Sequence, residues 1–259
     1  MKEYLIMLLI RFIAVIAVLS VFNNMSFAEE LRLGGYDKPP YMMKEGENAG
    51  ICVDIVQEAA KRSGYDTSYK LFPHKRGLKY FTKNRIDAET CVSPKWRSKY
   101  KEISAYSDVF YDSENVVIVR KNSSIATTKN IQDFTGKTLG TVRGYFITDG
   151  FQEEFEAGNI VRNDVSIQDQ NIKKLASKRV DGVIIDRTTG LYLIKQLGFD
   201  PDDFRIAYVF EIKSYLSVRI HKNRKDVIPK LNKSLSEMKK DGTIDKIINK
   251  YMSTGPKND

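Results

Sequence analysis

The chain has 259 residues, 42% of them hydrophobic and 29% charged, which excludes a disordered or collagen-like chain and is long enough for one large domain or two modest ones. Its formal net charge is +9, but basic and acidic residues alternate, as in "KNRKDVIPKLNKSLSEMKKDGTIDK"; that pattern belongs to solvated helix faces and excludes a nucleic-acid stripe. Two histidines far apart, His74 and His221, exclude a histidine metal cluster and a nucleophile–base pair, and no cofactor is expected.

In chain order, residues 1–28 read as a secretory signal peptide. "FIAVIAVLSVF" is an apolar stretch of the right length, Arg11 precedes it, and Ser26-Phe27-Ala28 offers small residues where a signal peptidase cuts. Met7 is an alternative start to Met1. A membrane anchor over 4–22 would place Arg11 mid-span at about 2.5–3.5 kcal/mol, so cleavage after Ala28 is expected, with no membrane insertion of the mature chain. "LRLGGY" then reads as a strand running into a glycine turn. Residues 50–63 read as a helix, with Ile55, Val56, Ala59 and Ala60 on one face and Gly64 as its stop. "DTSYKLF" is a strand, a short amphipathic helix starts near Leu78, and 88–92 is a strand. Strands follow at 115–121 and in "KTLGTVRGY". The apolar run Val183-Ile184-Ile185, bounded by Asp181 and Asp186, is a buried strand that feeds a helix. A late strand at 215–222 and two amphipathic helices, 226–240 and 243–252, finish the chain, with Asp241-Gly242 between the helices.

The chain repeats itself once. "LKYFTKNRIDAETCV" and "IKKLASKRVDGVIID" share the order helix, basic turn, apolar residue, Asp, strand, and their aspartates, Asp87 and Asp181, are 94 residues apart. Upstream, "LRLGGY" and "KTLGTVRGY" match as well. Strands alternating with helices predict two α/β halves with parallel sheets, and a ligand cleft between them at the carboxyl ends of the strands. Cys52 and Cys91 are open to two readings, a disulfide closing a loop of about 40 residues and worth up to about 4 kcal/mol, or two small buried hydrophobes.

Asp186 ends a buried strand at the rim of the second half, and Arg97 follows the matching strand of the first. A guanidinium and a carboxylate facing each other suit a zwitterion: Arg forks onto an α-carboxylate and Asp accepts from an α-ammonium. Each also has a plain structural account, Asp186 as a helix N-cap and Arg97 as a surface partner of Glu102. Tyr36 and Tyr145 sit beside glycines in turns, where core packing explains a large aromatic poorly. The lone tryptophan, Trp96, and His74 are further candidates for the cleft wall. Glu89 is a carboxylate in a central strand and needs a partner.

The segments "LRLGGYDKPPYM", "AGICVDIVQEAAKRSGY", "NRIDAETCVSPKWR", "IQDFTGKTLGTVRG", "KRVDGVIID" and "EMKKDGTIDKIINKYM" occur in the order found in family 3 extracellular solute-binding proteins, and the chain resembles that family over most of its length after residue 28. The resemblance implies a two-lobed periplasmic binding protein of type II, an α/β fold with two hinge strands and the ligand cleft at the lobe interface. Lobe 1 is expected over 29–118 plus 212–259, and lobe 2 over 119–211. It implies a periplasmic, monomeric receptor that closes on a small polar solute, an amino acid or relative, and delivers it to the membrane permease of an ABC importer. By the same resemblance Arg97 holds the ligand carboxylate, Asp186 its ammonium, Gly144 and Tyr145 lie on the second-lobe turn, and Tyr36 is an aromatic wall. The chain departs from the pattern at Tyr145, where a hydroxyl residue is usual, at Lys38 before the Pro-Pro pair, and in the shorter Asp87–Arg97 spacing. Two alternatives remain: a dehydratase on prephenate-like acids, with Glu89 or His74 as acid or base, and a ligand-sensing subunit of a membrane receptor.

Overall fold

The computed structural model describes residues 29–44, 48–145, 147–148 and 150–253. The signal peptide expected over 1–28 lies outside them. The strands are β1 (Glu29–Gly35), β2 (Tyr65–Leu71), β3 (Ala88–Val92), β4 (Ser104–Tyr106), β5 (Tyr111–Ser113) and β6 (Asn115–Arg120). There follow β7 (Thr138–Val142), β8 (Val161–Val165), β9 (Gly182–Asp186), β10 (Phe204–Val209) and β11 (Ser214–His221). The helices are α1 (Ile51–Arg62), α2 (His74–Thr82), α3 (Phe151–Glu156), α4 (Gln168–Ala176), α5 (Arg187–Gln196), α6 (Ile228–Lys240) and α7 (Thr243–Ser253).

The strands form two sheets, one per lobe. The first runs β2-β1-β3-β11-β4 with β5 also on β11, and the second runs β10-β6-β9-β7-β8. In each, three strands are parallel (β2-β1-β3 and β8-β7-β9) and a strand from outside that unit joins antiparallel: β11 beside β3, and β6 beside β9. The sheets are therefore mixed, not parallel throughout as the strand–helix alternation suggests, because β11 and β6 enter from the crossings between lobes. All of β6 pairs inside the second sheet, so a boundary at 118/119 would cut a strand in two; the first crossing falls at Glu114 instead. The return crossing falls between β10 and β11, residues 210–213.

The internal repeat is structural. Leu33 and Gly34 of β1 sit beside Ala88 and Glu89, as Leu139 and Gly140 of β7 sit beside Gly182 and Val183. Two residues past the helix before each matched strand comes a residue with positive φ, Asn84 (53°) and Lys178 (61°). The next N–H then reaches back to the helix, Arg85 to Tyr80 and Arg179 to Lys174.

Lobe 1 packs α1 and α6 into one core with its sheet through Leu31, Leu33, Ile55, Val56, Leu231 and Leu235, and α7 joins it through Ile244 and Tyr251. In lobe 2, β6 is covered on both faces: Val116 and Ile118 face Val183 and Leu193, while Val117 and Val119 face Phe134 and Phe151. Burial on two sides is why that strand reads as an unbroken apolar run. A disulfide joins Cys52 in α1 to Cys91 in β3, with Cα atoms 5.7 Å apart. No described helix is long and apolar enough to cross a membrane.

Candidate functional site

The site forms where the carboxyl ends of β1, β3 and β9 meet. On lobe 1 the turn after β1 carries Tyr36 and Lys38, closed by a Lys38–Met42 bridge around a cis Pro39-Pro40 bond. Its carbonyls do a second job: Pro40 and Tyr41 accept from the N–H groups of Ile51 and Cys52 and so cap the first turn of α1. The close approach requires glycine at 50. A Cβ there would lie 2.4 Å from the Tyr41 carbonyl oxygen, and its φ is 120°. The Lys38 ammonium is thereby set 4.9 Å from the Tyr41 ring centre and 5.2 Å from that of Trp96. Trp96, 39% exposed, is wall rather than core.

Beyond Trp96 lies a buried charge cluster. Arg97 donates to Glu89 through Nε (3.3 Å) and Nη2 (3.2 Å), and its Nη1 donates to the Trp96 carbonyl at 3.3 Å. Arg219, opposite Glu89 across the β3–β11 ladder, donates to the same carboxylate at 2.5 Å and stacks 3.7 Å over the Phe81 ring. Glu89 thus has the partner a carboxylate in a central strand needs, and Arg97 pairs with it instead of with Glu102. The Nη1 side of Arg97 faces away from this pairing. Tyr36 and His74 stand alongside, rings 5.0 Å apart at 80°. Burial pushes the Tyr36 hydroxyl up and the His74 imidazole down, and the Arg97 charge acts on both.

On lobe 2, Asp186 ends β9 and caps α5, accepting from the Thr189 N–H at 2.9 Å. The same carboxylate accepts from the Tyr41 hydroxyl of lobe 1 at 2.8 Å and from the Ser113 hydroxyl of β5 at 2.7 Å. Burial, followed by the Asp186 charge, pushes the Tyr41 hydroxyl well above its usual range, so Tyr41 remains a donor. Tyr111 and Thr188 share a second bond between the lobes, 2.6 Å. Gly144, with φ 81°, turns the chain after β7 and presents Tyr145, half-exposed and held by Arg162 donating to its carbonyl at 2.9 Å. Burial raises the Tyr145 hydroxyl while Lys38 opposes it, so these two residues of opposite lobes feel one another.

One wall therefore runs from Asp186 through Tyr41, Lys38 and Trp96 to Arg97, and crosses from one lobe to the other. The family model for bacterial extracellular solute-binding proteins, family 3, matches residues 31–254. The chain belongs to this family. It is 26% identical to the arginine-binding extracellular protein ArtP of Bacillus subtilis over 85% of this chain and 84% of that protein. It is 25% identical to the L-cystine-binding protein TcyJ of Escherichia coli K12, over 82% and 78%. The L-cystine solute receptor of Neisseria gonorrhoeae in its unliganded open conformation has the same two-lobed fold, with a TM-score of 0.68, 17% identity, and coverage of 90% of this chain and 97% of that one.

Sequence reasoning did not select Lys38 and Tyr41 on this wall, or Ser113 beside Asp186. Lys38 stood out only as a departure from the family pattern. Tyr41 carried a usable signal, an aromatic directly after Pro-Pro at the end of a strand, whereas Ser113 sits in a three-residue strand with no periodicity to mark it. Among the described residues no group of three His, Cys, Asp or Glu side chains is placed to hold a metal ion.

Proposed function

We propose that this solute-binding protein captures a small zwitterion, an α-amino acid or close relative, in the periplasm and hands it to the permease of an ABC importer. Its described lobes run over 29–114 with 211–253, and over 115–210. The observation that carries the proposal is the opposed charge along one wall: Arg97 and Lys38 on lobe 1, Asp186 at the edge of lobe 2. An α-carboxylate suits the Nη1 side of Arg97, since Glu89 engages the other side and fixes the guanidinium plane. An α-ammonium suits Asp186 and would share it with, or take it from, the Tyr41 hydroxyl. Tyr36, Trp96 and Tyr145 supply aromatic surface for the rest of the solute, and Gly144 sets the turn that carries Tyr145. The matched relatives are named for arginine and cystine, which makes these the first solutes to try. Hinge closure at the two crossings is the motion that a bound zwitterion would favour.

The chain acts in this proposal as a receptor and not as a catalyst. Both oxygens of Glu89 are taken by guanidiniums, and the His74 ring is held edge-on against Tyr36. Export with removal of the signal peptide after Ala28, and a monomeric state, complete the picture.

A thermal-shift screen of the ligand-stripped protein against free amino acids and amine-free carboxylic acids tests it. A solute at about 100 times its dissociation constant adds about 2.7 kcal/mol, a shift of several degrees. With the solute in hand, Asp186→Ala is expected to weaken binding by about 2–5 kcal/mol. A shift from amine-free acids alone, with Asp186→Ala binding unchanged, would sink the zwitterion clamp.

A further inference from the structure

Between Asp66 and Asp87 the chain has no acidic residue, although elsewhere its charges alternate. The fold gathers the basic residues of this stretch on one face. Lys75, Arg76, Lys79, Lys83 and Arg85 line an open concavity on α2 and the turn after it, with Tyr80 as the sixth lining residue. All five cations are exposed, and none of them makes an ion pair among the described residues.

This face lacks the compensating partners found on α1 and α6. Lys75, Lys79 and Lys83 follow one another at i,i+4, where like charges destabilise a helix. By contrast α1 pairs Arg62 with Glu58 and α6 pairs Lys233 with Glu237 at the same spacing. Beneath the cations is a half-buried aromatic pair, Phe72 and Tyr80, with centroids 4.9 Å apart, and the Arg85 guanidinium lies 5.5 Å from the Tyr80 ring centre. Unpaired cations over half-buried aromatics have the composition of a membrane-interface surface. The C-terminal end of α2 is tied to β1, where the Arg32 Nη2 donates to the Asn84 carbonyl at 3.1 Å.

We propose that the α2 face of lobe 1 docks the protein on an anionic phospholipid surface through headgroup phosphates. The contact is electrostatic and diffuse: each cation meets phosphate charge without a fixed partner, and salt weakens it. It concentrates a solute receptor at the membrane independently of which solute the cleft accepts.

Vesicle co-sedimentation of the exported chain tests this. At 50 mM NaCl the protein is expected to sediment with phosphatidylcholine vesicles containing 30 mol% phosphatidylglycerol, not with pure phosphatidylcholine, and to be released at 0.5 M NaCl. The triple variant Lys75→Glu, Lys79→Glu, Lys83→Glu should lose partitioning by about 100-fold or more, each basic residue near the surface contributing about fivefold. A control with the same change in net charge, Lys233→Glu, Lys239→Glu, Lys240→Glu on α6, should lose far less. All six positions are exposed, so unchanged thermal unfolding of both variants checks that folding is intact. No sedimentation at 50 mM NaCl, equal losses in the two variants, or binding to a soluble polyanion such as heparin without binding to vesicles would each overturn the proposal.

Discussion

In lobe 1, Asp87 exchanges two hydrogen bonds with the backbone of Arg32: its N–H donates to the Arg32 carbonyl at 2.8 Å and its carboxylate accepts from the Arg32 N–H at 2.9 Å. In lobe 2, Asp181 makes the same exchange with Thr138, 2.8 Å in both directions. The device ties the amino end of the third parallel strand to that of the first, and it recurs because an aspartate entering a strand satisfies a backbone donor at the sheet's edge. What surrounds it differs. Asp87 is 1% exposed and also takes Nε and Nη2 of Arg32, with Arg224 3.7 Å away, whereas no guanidinium reaches Asp181 among the described residues. The carboxyl ends diverge in the same way. Lobe 1 buries Arg97, Glu89 and Arg219 together, and lobe 2 ends in Asp186, satisfied by neutral donors. One backbone plan thus carries a half that is charge-dense at both ends of its strands and a half that is charge-sparse.

The comparison breaks most visibly at Glu89. Glu89→Ala leaves two guanidiniums facing one another at 6% and 0% side-chain exposure, and removing one partner of a buried charge network costs about 3–5 kcal/mol. Urea unfolding should show that loss. A change below about 1 kcal/mol would mean that the arginines relax to solvent and that the cluster is not a structural unit.

Asp87 sharpens the contrast at the other end of the strands. Burial works against its ionisation, but hydrogen bonds from Arg32 outweigh burial and hold the carboxyl below its usual value. A depressed carboxylate stabilises the fold above its unfolded pKa of about 3.9, and the contribution is lost as pH falls through the lower folded value. Asp87→Asn should therefore cost about 1–3 kcal/mol at pH 7, a cost that shrinks below about pH 4. Asp181→Asn keeps an acceptor for the Thr138 N–H and should cost about 1 kcal/mol or less. Chemical unfolding of both variants from pH 7 to pH 3 measures the difference, and parallel profiles would show that the arginines around Asp87 add nothing.

What was legible in the sequence divides along the same line. The backbone plan was visible because it is local: Ile55, Val56, Ala59 and Ala60 mark α1, Val183 to Ile185 mark β9, and the repeated helix, basic turn and Asp align 94 residues apart. Asp186 was legible too, since an Asp between an apolar strand and a helix reads as a cap. The partners were not. Arg219 lies 130 residues from Glu89 and Tyr41 lies 145 from Asp186, and no periodicity spans such distances. The mixed character of the sheets escaped for the same reason, because β11 and β6 reach their neighbours only by crossing between lobes. Nor does the sequence mark Thr138, 43 residues away, as the partner of Asp181.

The smallest effect tests the repeat itself. Asn84 and Lys178 occupy equivalent turns with φ of 53° and 61°, a conformation that costs an L-residue about 1–2 kcal/mol unless its side chain is Asn, Asp or absent. Lys178→Gly should therefore stabilise lobe 2 by up to about 1 kcal/mol, the relief of the Cβ contact being offset in part by the flexibility glycine adds to the unfolded chain. Asn84→Gly should change little or cost a few tenths of a kcal/mol, because asparagine already tolerates this geometry. The difference is read as a shift in thermal midpoint for each variant against the parent. A gain at 178 without one at 84 means that the two turns share a backbone shape and differ only in how well the residue suits it. Equal responses would mean that the turns relax independently of the residue, and that the repeat ends at the strands.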